Sequence, residues 1–136
     1  MKGVKNMVNK NVEDYLQEGI YGQKQNKPEE RNMYLTTLRE RVEIALTIGQ
    51  VMQSNVYSEV AGSMRPSQSL QLLLNGGIAY PHLSKYIKLA NEKNVPFTIV
   101  QNKDTKTPIG LVLTHATAVD KEQIYVEDTI FKQEMK

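Results

Sequence analysis

At 136 residues, 40% of them hydrophobic and 24% charged, the chain suits one domain able to bury about two-thirds of its unfolded surface. That composition excludes a disordered chain, and no apolar run approaches the ~20 residues needed to span a bilayer. A net charge of +2 is too small to imply a polyanionic partner by itself, and the absence of cysteine excludes disulfides, thiolate metal ligands and cysteine nucleophiles.

Residues 1–10 read as a loose, weakly basic tail, followed by a single domain over 11–136. The N-terminus has lysines but no apolar h-region, so no signal peptide is expected and the cytoplasm is the expected location. Asn11 suits the cap of a short helix on which Val12, Tyr15 and Leu16 share a face, with Gly19 as its stop. Asn26-Lys27-Pro28-Glu29-Glu30 opens a second helix: proline is tolerated in a first turn, and the glutamates lie at the positive end of the dipole. Tyr34, Leu35 and Leu38 form its apolar face.

Past Arg39 two periods compete. Val42, Ile44 and Leu46 alternate with Arg41, Glu43 and Ala45 as in a half-buried strand, while Leu35, Leu38, Val42, Ala45, Gly49 and Met52 fit a continuing helix. The β-branched content and the Thr47-Ile48-Gly49 break favour the strand. Val56, Tyr57, Val60, Ala61 and Met64 then repeat at helical spacing until Pro66.

Leu70–Leu113 is the stretch around which the rest is arranged. Leu70–Leu74 is nearly all apolar, as in a strand covered on both faces. After Asn75-Gly76-Gly77, Pro81 opens a helix whose Leu83, Tyr86, Ile87 and Ala90 face the sheet, with Lys85, Lys88 and Glu92 outward. Val95–Val100 follows as a strand parallel to the first. A polar turn over Asn102–Thr107 leads to Ile109–Leu113, read as an edge strand forming a hairpin with its predecessor. Beyond Ala118 a short helix capped at Asp120 and an extended Ile124-Tyr125-Val126 fit equally well. The expected class is α+β: a mixed four-stranded sheet with helices mainly on one face, preceded by N-terminal helices.

Two places attract a functional reading. Asn75-Gly76-Gly77 sits between a strand end and a helix start, where α/β proteins hold ligands, but neither GxGxxG nor GxxxxGK is present, and a turn built for geometry is the preferred reading. From Arg65 to Lys106, six basic residues stand against Glu92 and Asp104. Lys85 and Lys88 on the helix with Lys103 and Lys106 on the turn would form an anion or RNA surface if they converge, although exposed lysines are commonly just solvated. His82 and His115 are the only histidines and lack helical-pair spacing, so no metal site, cofactor or catalytic set is assigned.

Seven segments carry a resemblance: EDYLQEGIYG (Glu13–Gly22), KPEERNMYLTTLRERVEIALT (Lys27–Thr47), LLNG (Leu73–Gly76), LSKYIKLANEK (Leu83–Lys93), PFTIV (Pro96–Val100), PIGLVL (Pro108–Leu113) and AVDKEQIYV (Ala118–Val126). In these the chain resembles the YueI-like family of small bacterial proteins of unknown function. The resemblance implies a β-α-β-α-β-β fold similar to that of monofunctional chorismate mutases, with the strand at Arg41–Leu46 as its first. It brings no functional residues. Relatives of that fold suggest RNA binding, for which the G-x-N-E-x-T-K stretch has no counterpart here, or an enzyme site between subunits. For the latter Arg39, Arg41 and Arg65 are candidates without a motif. The reading preferred from sequence is a non-enzymatic binding or regulatory module, self-associating through a sheet edge or helix face.

Overall fold

The computed structural model describes residues 27–65, 69–101 and 106–135. The expected tail, the helix capped by Asn11, the stop at Pro66 and the turn at Asn102–Thr105 lie outside the described residues. Helix α1 (Pro28–Met33) leads through a 3-10 turn (Arg39–Arg41) into β1 (Val42–Thr47) and α2 (Ile48–Val51). Then come α3 (Ser58–Ser63), β2 (Leu70–Asn75), α4 (Tyr80–Glu92), β3 (Phe97–Val100), β4 (Ile109–His115) and α5 (Thr129–Glu134). The four strands form one mixed sheet in the order β1-β4-β2-β3, with β2 and β3 parallel and β4 antiparallel to both its neighbours. The class is α+β, as the sequence suggested.

The hairpin expectation is corrected. β4 does not pair with β3; it runs between β1 and β2. The physical reason is burial. Ile109 to Thr114 are all buried, so this strand gains most in the middle of the sheet, whereas Phe97 and Thr98 are exposed and β3 takes the edge. Pro108 precedes the ladder, and its carbonyl accepts from the Ile48 amide.

Two bulges depart from simple alternation. Val42 faces Thr114 and Ile44 faces Leu113, leaving Glu43 as an extra residue on β1. At the other end Leu46 faces Leu111 and Thr47 faces Ile109, so Gly110 is the extra residue on β4. Each bulge moves an apolar side chain across the sheet. Ile44, Leu46, Leu111 and Leu113 pack on one face with Leu83, Tyr86, Ile87 and Ala90 of α4 and with Val60 and Met64. Val42, Ala45, Ile109 and Val112 pack on the opposite face with Leu35, Leu73, Val100 and Ile124. The sequence reading had Val42 on the same face as Ile44.

α4 is laid down as read, with its four expected apolar residues buried. Tyr86 is fully buried, and its hydroxyl accepts the Tyr57 amide at 3.0 Å, tying the start of α3 to α4. α1 is shorter than expected. It stops at Met33, and Leu35 (φ 54°) and Thr36 (φ 85°) turn left-handed, so Tyr34, Leu35 and Leu38 do not share a helical face. Leu35 is instead buried in the second cluster, which the strained turn makes possible. The C-terminal alternatives resolve towards extended chain: Ala45 donates to the Ile124 carbonyl at 2.7 Å and bridges Tyr125 in parallel. Asp128, not Asp120, caps the following helix.

A cleft at the exit of the central strand

β4 leaves the sheet at Thr114 and His115, beside the entry of β2 at Ser69–Gln71 and the α4–β3 connection at Asn94–Pro96. Between them lies a cleft of about 390 Å³, with Arg65, from the end of the α3 segment, on its wall. This is the small end of the range for organic ligands. Asn94 takes the left-handed conformation (φ 58°) that closes α4, and the Val95 amide reaches back to the Ala90 carbonyl at 2.8 Å. That turn fixes one wall. Thr114 fixes another: its hydroxyl is 2.8 Å from that of Thr37 and donates to the Arg41 carbonyl at 3.3 Å.

His115 is the imidazole that lines the cleft. Its Nε2 lies 2.7 Å from Oε1 of Glu43, whose other oxygen accepts from Lys121 Nζ at 2.8 Å. Burial alone would raise the Glu43 pKa, but the hydrogen bonds and charges of His115 and Lys121 outweigh it and hold the carboxyl below its ordinary value. An ionised Glu43 can only accept, so Nε2 carries the proton of this bond. Nδ1 has no hydrogen-bond partner among the described residues. The β1 bulge places Glu43 here. Lys121 is held by Arg39, whose guanidinium donates to the Lys121 and Glu122 carbonyls at 2.7 and 2.9 Å.

The residues singled out from sequence fare differently. Lys85 does not face solvent as expected: Nζ donates to the Val51 and His82 carbonyls at 2.6 and 2.7 Å and lies 5.1 Å from the centre of the Tyr86 ring. Its partial burial lowers its pKa. The reason is local: α2 ends at Val51 with unpaired carbonyls, and a lysine stem on α4 reaches them. Lys88 and Lys106 are exposed, and Lys103 lies outside the described residues. At the Asn75-Gly76-Gly77 turn, Asn75 donates to the Ile109 carbonyl at 3.0 Å and accepts from the Gly77 amide at 2.8 Å. The Gly76 amide donates to Val100 at 2.8 Å. A Cβ on Gly76 would lie 2.7 Å from Nε2 of the exposed Gln101 side chain, whose flexible end can move aside. No described glycine has positive φ. Of the three arginines considered, Arg39 is structural, Arg65 lines the cleft, and Arg41 has a buried Nε without a partner.

Glu43 and Lys121 were not singled out from sequence. The available signal was a carboxylate inside an otherwise apolar strand. A second polar cluster, also unread, is structural: Asp128 accepts from Tyr57 Oη at 2.5 Å, from Gln50 Nε2 at 3.0 Å and from the Phe131 amide at 2.9 Å. Burial and then the Asp128 carboxylate push the Tyr57 hydroxyl pKa strongly up. Among the described residues there is no group of three His, Asp or Glu able to hold a metal, and no helix is long and apolar enough to cross a membrane.

The architecture so defined is a small α+β protein with a mixed sheet and a polar cleft at one end. The chain belongs to a family described as a protein of unknown function, DUF1694, which matches residues 9–125. It is 43% identical over 119 residues to the uncharacterized protein YueI of Bacillus subtilis (strain 168), covering 88% of this chain and 90% of that one. The crystal structure of the Bacillus subtilis YueI protein is similar to this fold with a TM-score of 0.77 and 41% identity, over 92% of this chain and 98% of that chain.

Proposed function

We propose that this chain is a non-enzymatic small-molecule-binding module whose ligand sits in the cleft at the exit of β4. The observation that carries the reading is the cleft's pairing of Arg65 with a histidine whose orientation is set by a bulge-borne carboxylate. Binding is favoured over turnover because the other polar clusters are engaged in holding the fold: Asp128 with Tyr57 and Gln50, and Lys85 with two carbonyls. The test is native mass spectrometry of gently purified protein, followed by NMR mapping of any retained molecule. A retained small molecule whose removal shifts the Gln71, Thr114 and His115 resonances supports the reading. A molecule mapping elsewhere refutes it.

Self-association has a specific feature in its favour, the β3 edge. The Pro96 and Val100 carbonyls face β2, so alternation points the amides and carbonyls of Phe97 and Ile99 outward. The stretch Asn94–Gln101 carries no charge to blunt that edge. Sedimentation of wild type against Ile99→Lys tests it: a dimer lost in the variant supports pairing there, and a monomeric wild type at high concentration excludes it.

A further inference from the structure

Resting on the β3 edge as the self-association surface, we infer that two copies join β3 to β3 antiparallel about a two-fold axis at Thr98, with Phe97 of each copy opposite Ile99 of the other, and that assembly closes at two. The sheet has two edges, and among the described residues only β3 is open. At the β1 edge the Ala45 amide donates to the Ile124 carbonyl at 2.7 Å, and Ala45 bridges Tyr125. A β3-on-β1 contact, which would repeat head to tail, therefore meets a filled edge, and the contact left to a second copy is β3 on β3. A two-fold axis makes that pairing antiparallel and uses up both free edges, so the assembly stops at a dimer.

The register follows from which groups point outward. The Leu72 and Gly76 amides donate to the Pro96 and Val100 carbonyls, so by alternation the main-chain groups of Phe97 and Ile99 face away from β2. These two residues are then the hydrogen-bonded positions of the new pair. With Phe97 opposite itself, Ile99 would need Val95, whose amide already donates to the Ala90 carbonyl at 2.8 Å. With Ile99 opposite itself, Phe97 would meet the polar Gln101. With Phe97 opposite Ile99, the two residues exchange both amide–carbonyl bonds, and two aromatic–β-branched pairs cover Phe97, which is 37% exposed. Ile99 packs against the first core cluster, so these pairs carry that core across the axis. On the other face Thr98, exposed and accepting from Gln71 Nε2 at 2.8 Å, meets its own copy. No charge in Asn94–Gln101 opposes the contact, and the edge is complementary to itself.

The chain has no cysteine, so a single introduced thiol reports on one position. In this register the Thr98 pair is non-hydrogen-bonded, with Cα atoms about 4.5 Å apart and within disulfide reach. Phe97 and Ile99 lie diagonally from their own copies, at about 7–8 Å and out of reach. The experiment oxidises Thr98→Cys, Phe97→Cys and Ile99→Cys with copper–phenanthroline for non-reducing gels, beside sedimentation of the wild type. Thr98→Cys is expected to give the covalent dimer while the other two stay single chains. Thr98→Lys, on an exposed side chain, sets two like charges at the axis and should turn the dimer into monomer with unchanged circular dichroism. Crosslinking at Phe97 or Ile99 in place of Thr98 overturns the register and leaves edge pairing standing. An assembly larger than two overturns the closure. A dimer that survives Thr98→Lys, or crosslinks at none of the three positions, overturns the inference and the β3 edge together. A wild type that stays monomeric at high concentration does the same, and leaves the edge to a strand of another protein.

Discussion

Gln50 is the most exacting test of how the C-terminal segment is held. It is fully buried on a four-residue helix, where its Oε1 accepts the Thr47 amide at 2.9 Å and completes a capping box. Its Nε2 donates to the Val126 carbonyl at 2.7 Å and to Asp128 at 3.0 Å. Gln50→Leu keeps the volume and removes all three bonds. The Thr47 amide, on a residue with no exposure, then lacks its cap partner at a loss of about 1–3 kcal/mol. The Val126 carbonyl and Asp128, both half-buried, add about 1 kcal/mol each, and better burial of leucine returns about 1 kcal/mol. The net loss is about 3 kcal/mol, or a Tm lower by about 10 °C in a domain of this size. Urea unfolding followed by circular dichroism measures it, with Gln53→Leu, two residues past the end of that helix, as the control, because its one bond to the Gly49 carbonyl is exposed. A loss below about 1 kcal/mol for Gln50→Leu would refute the view that this side chain joins α2 to the chain's end.

Glycine substitutions should split by location. At Gly110 a Cβ would meet Ile78 at 2.9 Å and the Ile48 Cα at 3.0 Å, so Gly110→Ala should lose about 1–3 kcal/mol in urea unfolding. At Gly62 in α3 nothing lies within 4 Å, and Gly62→Ala should gain about 0.5 kcal/mol. Lys85→Met should destabilise by about 1–2 kcal/mol by stripping two carbonyls of their donor, whereas exposed Lys88→Met should stay within about 0.5 kcal/mol; equal effects would remove the distinction between them. For Asp128, burial raises the pKa but the bonds from Tyr57, Phe131 and Gln50 outweigh it, and the net shift is downward. Its contribution to stability is therefore full above the ordinary aspartate range and lost as pH falls through the lowered value. Unfolding titrations below about pH 4 should show a shallower acid loss in Asp128→Asn than in wild type, and an unchanged slope would contradict the assignment.

Much of the fold could be read from residue patterns. The Leu83, Tyr86, Ile87 and Ala90 face of α4, the all-apolar β2 and the parallel pairing of β3 follow from period and burial, and all three are present. The errors share a cause, which is tertiary burial overriding local order. β4 was placed beside β3 because they are neighbours in sequence, yet its two apolar faces put it at the centre. Val42 was assigned to the wrong face because a bulge has no period of its own. The cleft was hidden for the same reason. Glu43, His115 and Lys121 are separated by 72 and 6 residues, and the residue that joins them is the one that breaks the alternation.

The Asn75-Gly76-Gly77 turn, read from sequence as a turn built for geometry, sits in a topology unlike that of an open parallel sheet. In open parallel sheets a crevice forms beyond the carboxyl ends of strands, where crossover helices diverge to opposite faces. Here only β2 and β3 are parallel, and β4 enters antiparallel on the other side of β2. The bonds from Asn75 to Ile109 and from Gly76 to Val100 tie that end of β2 to β4 and β3. At the opposite end β4 leaves and β2 enters side by side, with Leu70 opposite His115 and the Ala116 amide donating to the Ser69 carbonyl at 3.2 Å. The cleft lined by Arg65 and His115 lies at this end of the sheet, away from the Asn75 turn.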